Sequence, residues 1–115
     1  MVEGHIWGPL RDYRLRFILD SGAAHTALTT QAATNLGYTV SSTNELTTVA
    51  TATRVERWPL VRVDRIAFLG LLRADFPVLI HDLPTGTHVH GLLGLDFFAG
   101  HKLCLDLSEG TLELT

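Results

Sequence analysis

Short stretches of alternating apolar and polar residues, or apolar runs of a few residues, recur along the whole chain and predict strands far more often than helices. Arg14 to Leu19 is the first clear strand, and it runs directly into Asp20. Ala27 to Thr30 is a short extended piece. Gln31-Ala32-Ala33-Thr34-Asn35-Leu36 reads as a short helix: Thr29 or Thr30 offers a hydroxyl N-cap, and Gly37 stands where a helix C′ glycine belongs. From Leu46 to Val63, two extended runs rich in Thr and Val predict a long hairpin, and Pro59 predicts that its second arm lies at an edge or is interrupted. Ile66 to Leu72 and Phe76 to Ile80 form a further predicted strand pair, and Pro84-Thr85-Gly86 is a turn. Gly91-Leu92-Leu93-Gly94 is an apolar segment bracketed by glycines, and Leu95 to Gly100 reads as a short helix. The chain closes with a hairpin. Leu103, Leu105 and Leu107 share one face of its first strand, Leu112 and Leu114 share one face of the second, and Ser108-Glu109-Gly110 turns between them.

Many short strands with one or two short helices predict an all-β, closed barrel-like domain. A length of 115 residues makes a single domain, 1–115, the default. A strand, a tight glycine-containing segment and a short helix occur around residues 17–37 and again, loosely, around residues 89–100. Composition narrows the function. The formal net charge is −3, and the nine basic residues include no block, so the electrostatic footprint of nucleic-acid binding is missing. No apolar run approaches the length of a membrane span, and Met1-Val2-Glu3-Gly4-His5 does not read as a signal peptide. The single cysteine cannot make an internal disulfide, so a cytoplasmic setting is expected. An apolar share of 46% is high for a chain of this length and predicts surface buried against a partner.

The chemistry-bearing feature is Asp20-Ser21-Gly22-Ala23, placed where the apolar run Phe17-Ile18-Leu19 ends. A carboxylate is costly to bring out of water, yet here one is set at the end of an apolar strand, followed at once by a hydroxyl and a glycine turn. Asp-Ser-Gly taken alone is usually just a turn. It gains meaning beside Gly91-Leu92-Leu93-Gly94, an apolar loop able to pack beneath it. Phe17-Ile18-Leu19-Asp20-Ser21-Gly22-Ala23 together with Gly91-Leu92-Leu93-Gly94-Leu95-Asp96-Phe97-Phe98 resembles the retropepsin-like aspartic proteases. That group includes the retroviral enzymes, their bacterial single-domain relatives and the protease domain of the DNA-damage-inducible ubiquitin-shuttle proteins. The stretch from Gly94-Leu95-Asp96 through His101-Lys102-Leu103-Cys104-Leu105-Asp106-Leu107 is similar to the last of these and to bacterial members.

The resemblance covers roughly residues 10–115 and implies a retropepsin fold, the closed barrel of an acid protease. It implies an aspartic endopeptidase that hydrolyses polypeptide without metal or other cofactor. Asp20 would be the catalytic aspartate, with Ser21, Gly22 and Ala23 holding the active-site loop and Ser21 making reciprocal hydrogen bonds between subunits. Gly91, Leu92, Leu93 and Gly94 would form the loop under the site. Residues 46–58 would be the flap that closes over a peptide, with Thr51, Ala52, Thr53 and Arg54 at its tip. Relatives commonly carry Thr-Ala-Asn-Gly there; this chain has no glycine in that stretch. The chain holds one such aspartate motif, so the second carboxyl must come from a second copy: a homodimer puts Asp20 against its own symmetry mate. Two carboxyls in contact do not both ionise easily and share one proton. Ala23 stands where pepsin-type enzymes tend to carry a hydroxyl, which implies a less acidic optimum than theirs.

Other residues carry weaker expectations. His25 is open between lining the substrate cleft and packing on its own turn. His88 and His90 would share a strand face, but no HExxH motif, cysteine pair or carboxylate cluster accompanies them, so they read as solvated loop histidines rather than metal ligands. Trp58, beside Pro59, would pack the base of the flap, and Trp7 would cover the barrel mouth or fill core; both read as core aromatics before ligand platforms. Asp96 reads as an N-terminal helix residue rather than a catalytic one, with pairing to an arginine near the dimer axis as a further option. Cys104, on the face opposite the leucines, reads as structural. Two alternatives to the protease remain: an inactive retropepsin-fold module that binds peptide or only dimerises, and a histidine-rich metal-binding β-domain.

Overall fold

The computed structural model describes residues 1–40, 45–50, 53–83, 88–106 and 108–114. Side chains of residues 103, 105, 106, 111 and 112 lie outside that description, as do Thr51, Ala52 and the expected turn at Pro84-Thr85-Gly86. The first hairpin pairs β1 (Val2–Trp7) with β2 (Asp12–Leu19), in register from Val2 opposite Phe17 to Trp7 opposite Asp12. Along β2, Leu15 and Phe17 point into the core while Arg14, Arg16 and Ile18 point out, the alternation expected of a half-buried strand. After β3 (Ala27–Leu28) comes α1 (Thr30–Leu36). Its cap is the predicted one: the Thr29 side chain accepts from the Ala32 N–H, and Gly37 closes the helix at φ 100°.

β4 (Leu46–Ala50) pairs with β5 (Val55–Phe68), which then pairs with β6 (Leu71–Ile80). Here the structure departs from the sequence reading. The second arm of the long hairpin does not stop at Val63 but continues to Phe68, and the chain reverses at Leu69-Gly70, both at positive φ (53° and 81°). That is the backbone requirement of a two-residue hairpin turn, met at its first position by a leucine, which carries no turn signal. The break expected between residues 72 and 76 survives only as a local irregularity, Asp75 at φ 50° inside a continuous strand. Pro59, by contrast, lies at an edge as expected, because up to this residue β5 pairs with β4 alone. Leu60 N–H donates to Glu45 O at 2.7 Å, so alternation turns the Pro59 nitrogen to the other side, where pairing with β6 begins only at Leu60.

β7 (Gly91–Leu93), a 3₁₀ turn (Leu95–Phe98), and the hairpin of β8 (Leu103–Asp106) and β9 (Thr111–Leu114) complete the chain. The strand order β1-β2-β7-β3-β6-β5 closes on itself because β1 also pairs with β5, giving a six-stranded barrel with β4 as an outer arm and β8–β9 as a separate two-stranded sheet. The expected all-β closed barrel with short helices is what forms. Phe17, Phe68 and Phe97 fill its interior: Phe17 and Phe68 have ring centroids 4.8 Å apart, and Phe97 meets Phe68 edge-on at 6.1 Å. Phe97 thereby ties the segment after β7 into the core. Leu114 is half-buried against that core, while Cys104 is exposed.

Candidate active site

Asp20 sits where β2 leaves the barrel wall. β7 runs parallel to β2 on one side (Leu19 opposite Leu93) and antiparallel to β3 on the other (Ala27 opposite Leu92), so it is wedged beneath the Asp20 loop. Asp20 N–H donates to Leu93 O at 3.1 Å. The turn that follows is closed twice from within: Ala23 N–H donates to Asp20 O at 3.1 Å, and Gly22 N–H donates to the carboxylate Oδ1 at 2.9 Å. Leu95 N–H then donates to Ala23 O at 2.9 Å, which pins the far end of the loop to the segment beyond β7. Among the described residues no hydrogen bond reaches Asp20 Oδ2, so one carboxylate oxygen is held and the other is open. Asp20 and Ala23 are half-buried, and Ser21 and Gly22 are exposed.

Two glycines make the wedge possible. A Cβ on Gly91 would lie 2.7 Å from Phe17 Cζ, and one on Gly94 would lie 2.5 Å from the carbonyl carbon and oxygen of His25. Neither neighbour can yield, since one is core and the other main chain. The expected role of Gly91 to Gly94 as a loop under the Asp20 turn therefore has a steric basis.

Thr26 is the residue that sequence reasoning passed over. It is fully buried; its hydroxyl accepts from Gly94 N–H at 3.1 Å and donates to Asp96 Oδ1 at 2.7 Å. Asp96 stands in the first turn of the 3₁₀ helix, as expected, and within the chain it accepts from a threonine hydroxyl. Arg73 serves the neighbouring segment differently, its guanidinium donating to Phe97 O at 3.1 Å and Ala99 O at 2.6 Å. The signal available in the sequence was a hydroxyl residue directly before the buried pair Ala27-Leu28, which needs an internal partner once it enters the core.

Beside the Asp20 loop lies a cavity of about 320 Å³. Its walls bring together Ala23, Ala24 and His25 from the loop with Thr48, Ala50 and Trp58 from the hairpin. A more open hollow of about 350 Å³ between β1, β2 and the Leu69-Gly70 turn touches no residue of the Asp20 loop. Trp58 is a departure from expectation: it is a wall of the cavity, not a core aromatic. His81 stacks on its ring at 3.6 Å with planes 7° apart, and its Nε1–H donates to Glu56 Oε2 at 2.9 Å. That hydrogen bond, with Arg54 Nε at 2.8 Å from Glu56 Oε1, holds the Glu56 carboxyl below the usual glutamate range. Trp7 is outside the core as well, half-buried with the His5 ring 4.5 Å away and the Arg65 guanidinium 4.8 Å over its face.

Thr53 and Arg54, at the end of the hairpin, are exposed; Thr51 and Ala52 of the expected flap tip fall outside the described residues. His88 is exposed at φ 56°. His90 is not solvated as expected: half-buried, its ring Nδ1 accepts the Arg16 N–H at 3.0 Å and its main-chain N–H donates to Arg16 O at 2.8 Å. Among the described residues no three metal-ligating side chains come together, and no helix is long and apolar enough to cross a membrane.

Solved structures with this architecture exist. A retropepsin-like aspartic protease from Rickettsia conorii superposes with a TM-score of 0.64 at 18% identity, over 96% of this chain and 77% of that one. The retroviral protease-like domain of Ddi1 from Leishmania major superposes with a TM-score of 0.59 at 15% identity, over 99% of this chain and 86% of that one. At such identities these likenesses carry the fold alone, and it is the retropepsin fold. No sequence among curated proteins matches the chain. The sequence profile of aspartyl proteases matches residues 3–97, from β1 through Phe97 and so across every strand of the barrel, and the chain belongs to the aspartyl protease family.

Proposed function

We propose that the protein is an aspartic endopeptidase that works as a homodimer, with Asp20 of each copy forming the catalytic pair. The observation that carries this reading is the state of the Asp20 carboxylate. Gly22 fixes Oδ1, among the described residues nothing holds Oδ2, and a cavity walled by loop and hairpin opens alongside. In the dimer one carboxyl group is protonated and the other is not. The ionised group takes a proton from a bound water as the water oxygen adds to the scissile carbonyl carbon. The protonated group gives its proton to the carbonyl oxygen. Collapse of the tetrahedral species breaks the C–N bond, the amine leaves with a proton, and the pair is restored. No covalent intermediate or metal is required.

Exposed Ser21 supports the dimer reading, since its hydroxyl is available to a second copy. The substrate is an extended polypeptide, which pairs with strand edges at the mouth of the cleft. Ala23 brings a methyl group where a hydroxyl would favour the ionised dyad, so the activity optimum lies at less acidic pH than that of pepsin-like enzymes. The test is peptide cleavage by wild type and Asp20→Asn, each with and without an inhibitor of the pepstatin type. Cleavage that disappears in the variant and in the presence of the inhibitor supports the proposal. Equal turnover by both proteins removes Asp20 from the chemistry and leaves a peptide-binding or dimerising module.

A further inference from the structure

We infer that Trp58 is a specificity-determining residue, the fixed wall of a subsite that selects an aromatic substrate side chain; this rests on the protease reading above. The cavity beside the Asp20 loop is walled mostly by small and aliphatic groups, among them alanines at positions 23, 24, 27 and 50 and leucines at 79 and 92, and the indole of Trp58 is the largest aromatic surface on it, with the His25 imidazole the other ring. A volume of about 320 Å³ leaves room for a large side chain with space around it. The aliphatic walls offer apolar area to any bulky side chain; the flat indole adds ring–ring contact, which favours an aromatic one.

What makes Trp58 a wall rather than a mobile lid is that its ring is held from two directions. His81 covers one face in a near-parallel stack, and the only polar atom of the indole is taken by Glu56. The stacking partner is itself anchored, since the His81 main-chain N–H donates to Leu28 O at 3.0 Å in the barrel. A tryptophan fixed in this way presents its remaining surface to the cavity without losing side-chain freedom when a ligand arrives. The titratable groups around it are Glu56, Arg54 and His81, with His25 on the cavity wall. Among the described residues lining the cavity there is no carboxylate, ammonium or guanidinium that would select a charged side chain.

The test uses peptides identical except for one residue flanking the cleaved bond, scanned through phenylalanine, leucine, alanine and aspartate. Wild type is expected to favour phenylalanine over alanine by about 10-fold or more in kcat/KM, the scale of a well-filled apolar pocket. Trp58→Ala is expected to lose that preference through KM with kcat little changed, and Trp58→Phe to keep most of it. His81→Ala, which frees the ring without removing it, is expected to weaken the preference partway. A Trp58→Ala enzyme with wild-type preferences overturns the inference. A second readout separates this outcome from failure of the protease reading. In a Trp7→Phe, Asp20→Asn protein Trp58 is the sole tryptophan, and its fluorescence is titrated with the same peptides. Tighter binding of the phenylalanine peptide with a change in Trp58 emission supports the subsite even if wild type cleaves nothing. Identical binding of phenylalanine and alanine peptides, with no change in emission, refutes it even if wild type is an active protease.

Discussion

The Asp20 loop and the β4–β5 hairpin face the same cavity but are held in opposite ways. The loop is locked by buried main-chain contacts: β7 wedged between β2 and β3, two glycines with no room for a Cβ, and a fully buried threonine shared between Gly94 and Asp96. Beyond Trp58 the hairpin is held by cross-strand pairing and exposed groups, with Arg54 on Glu56 as a surface ion pair. Buried, fully satisfied networks hold one geometry; exposed pairs contribute little and let an element move. Under the proposed protease reading, the contrast suits a carboxylate that must not shift beneath a hairpin that must admit a polypeptide.

The sharpest way to break the comparison is at the loop's chemistry. Asp20→Asn keeps the shape of the side chain and its acceptor toward Gly22 N–H, so the fold survives. Peptide cleavage falls by about 10²–10⁴-fold or more, the scale of a lost acid–base group. Unchanged melting with abolished turnover is the expected pair of results. Next in size is the wedge. Gly94→Ala drives a methyl group into the His25 main chain, and chemical denaturation should show a loss at or above about 1–3 kcal/mol, the usual cost of overpacking. Thr26→Val leaves Gly94 N–H and Asp96 without their partner and costs about 1–3 kcal/mol on the same measurement. If either variant proves neutral, the loop is not locked in the manner described.

How much of this could be read beforehand follows the same division. The strand into Asp20, the helix with its Thr29 and Gly37 caps, and the glycine-bracketed segment Gly91 to Gly94 are local patterns, and each forms as the pattern demands. What escaped depends on contacts between distant segments. Thr26 acquires its importance only when β7 arrives beside it, from nearly seventy residues away in the chain (|i−j| of 68 for its bond to Gly94). Leu69 takes a turn conformation because the strands on either side demand a two-residue reversal, and nothing in a leucine announces this. Trp58 was the more legible miss. Glu56 and Trp58 are two apart on a strand and so share a face, which already places the indole beside a carboxylate rather than in an oily core.

The smallest effects belong to the hairpin. Glu56→Gln keeps an acceptor for the Trp58 indole and removes the charge, so at neutral pH the melting temperature drops only slightly. The sign of its pH dependence is fixed by the direction of the shift. A glutamate whose pKa is lowered by folding contributes stability above its ordinary range and loses that contribution as pH falls through the lowered value. The difference between wild type and Glu56→Gln should therefore shrink on acidification and vanish once both are uncharged there. A difference that grows as pH falls would mean the indole bond to Glu56 is not what holds the carboxyl low.

The claim on which the account turns is that two copies of Asp20 make one active site, and mixing wild-type and Asp20→Asn chains tests it most directly. If the site is shared, mixed dimers are dead, and adding an equal amount of the variant, after exchange of subunits, halves the activity of a fixed amount of wild type. If the added variant leaves the activity of the wild-type chains untouched at concentrations where the protein is dimeric, each chain acts alone and the shared carboxyl pair does not exist.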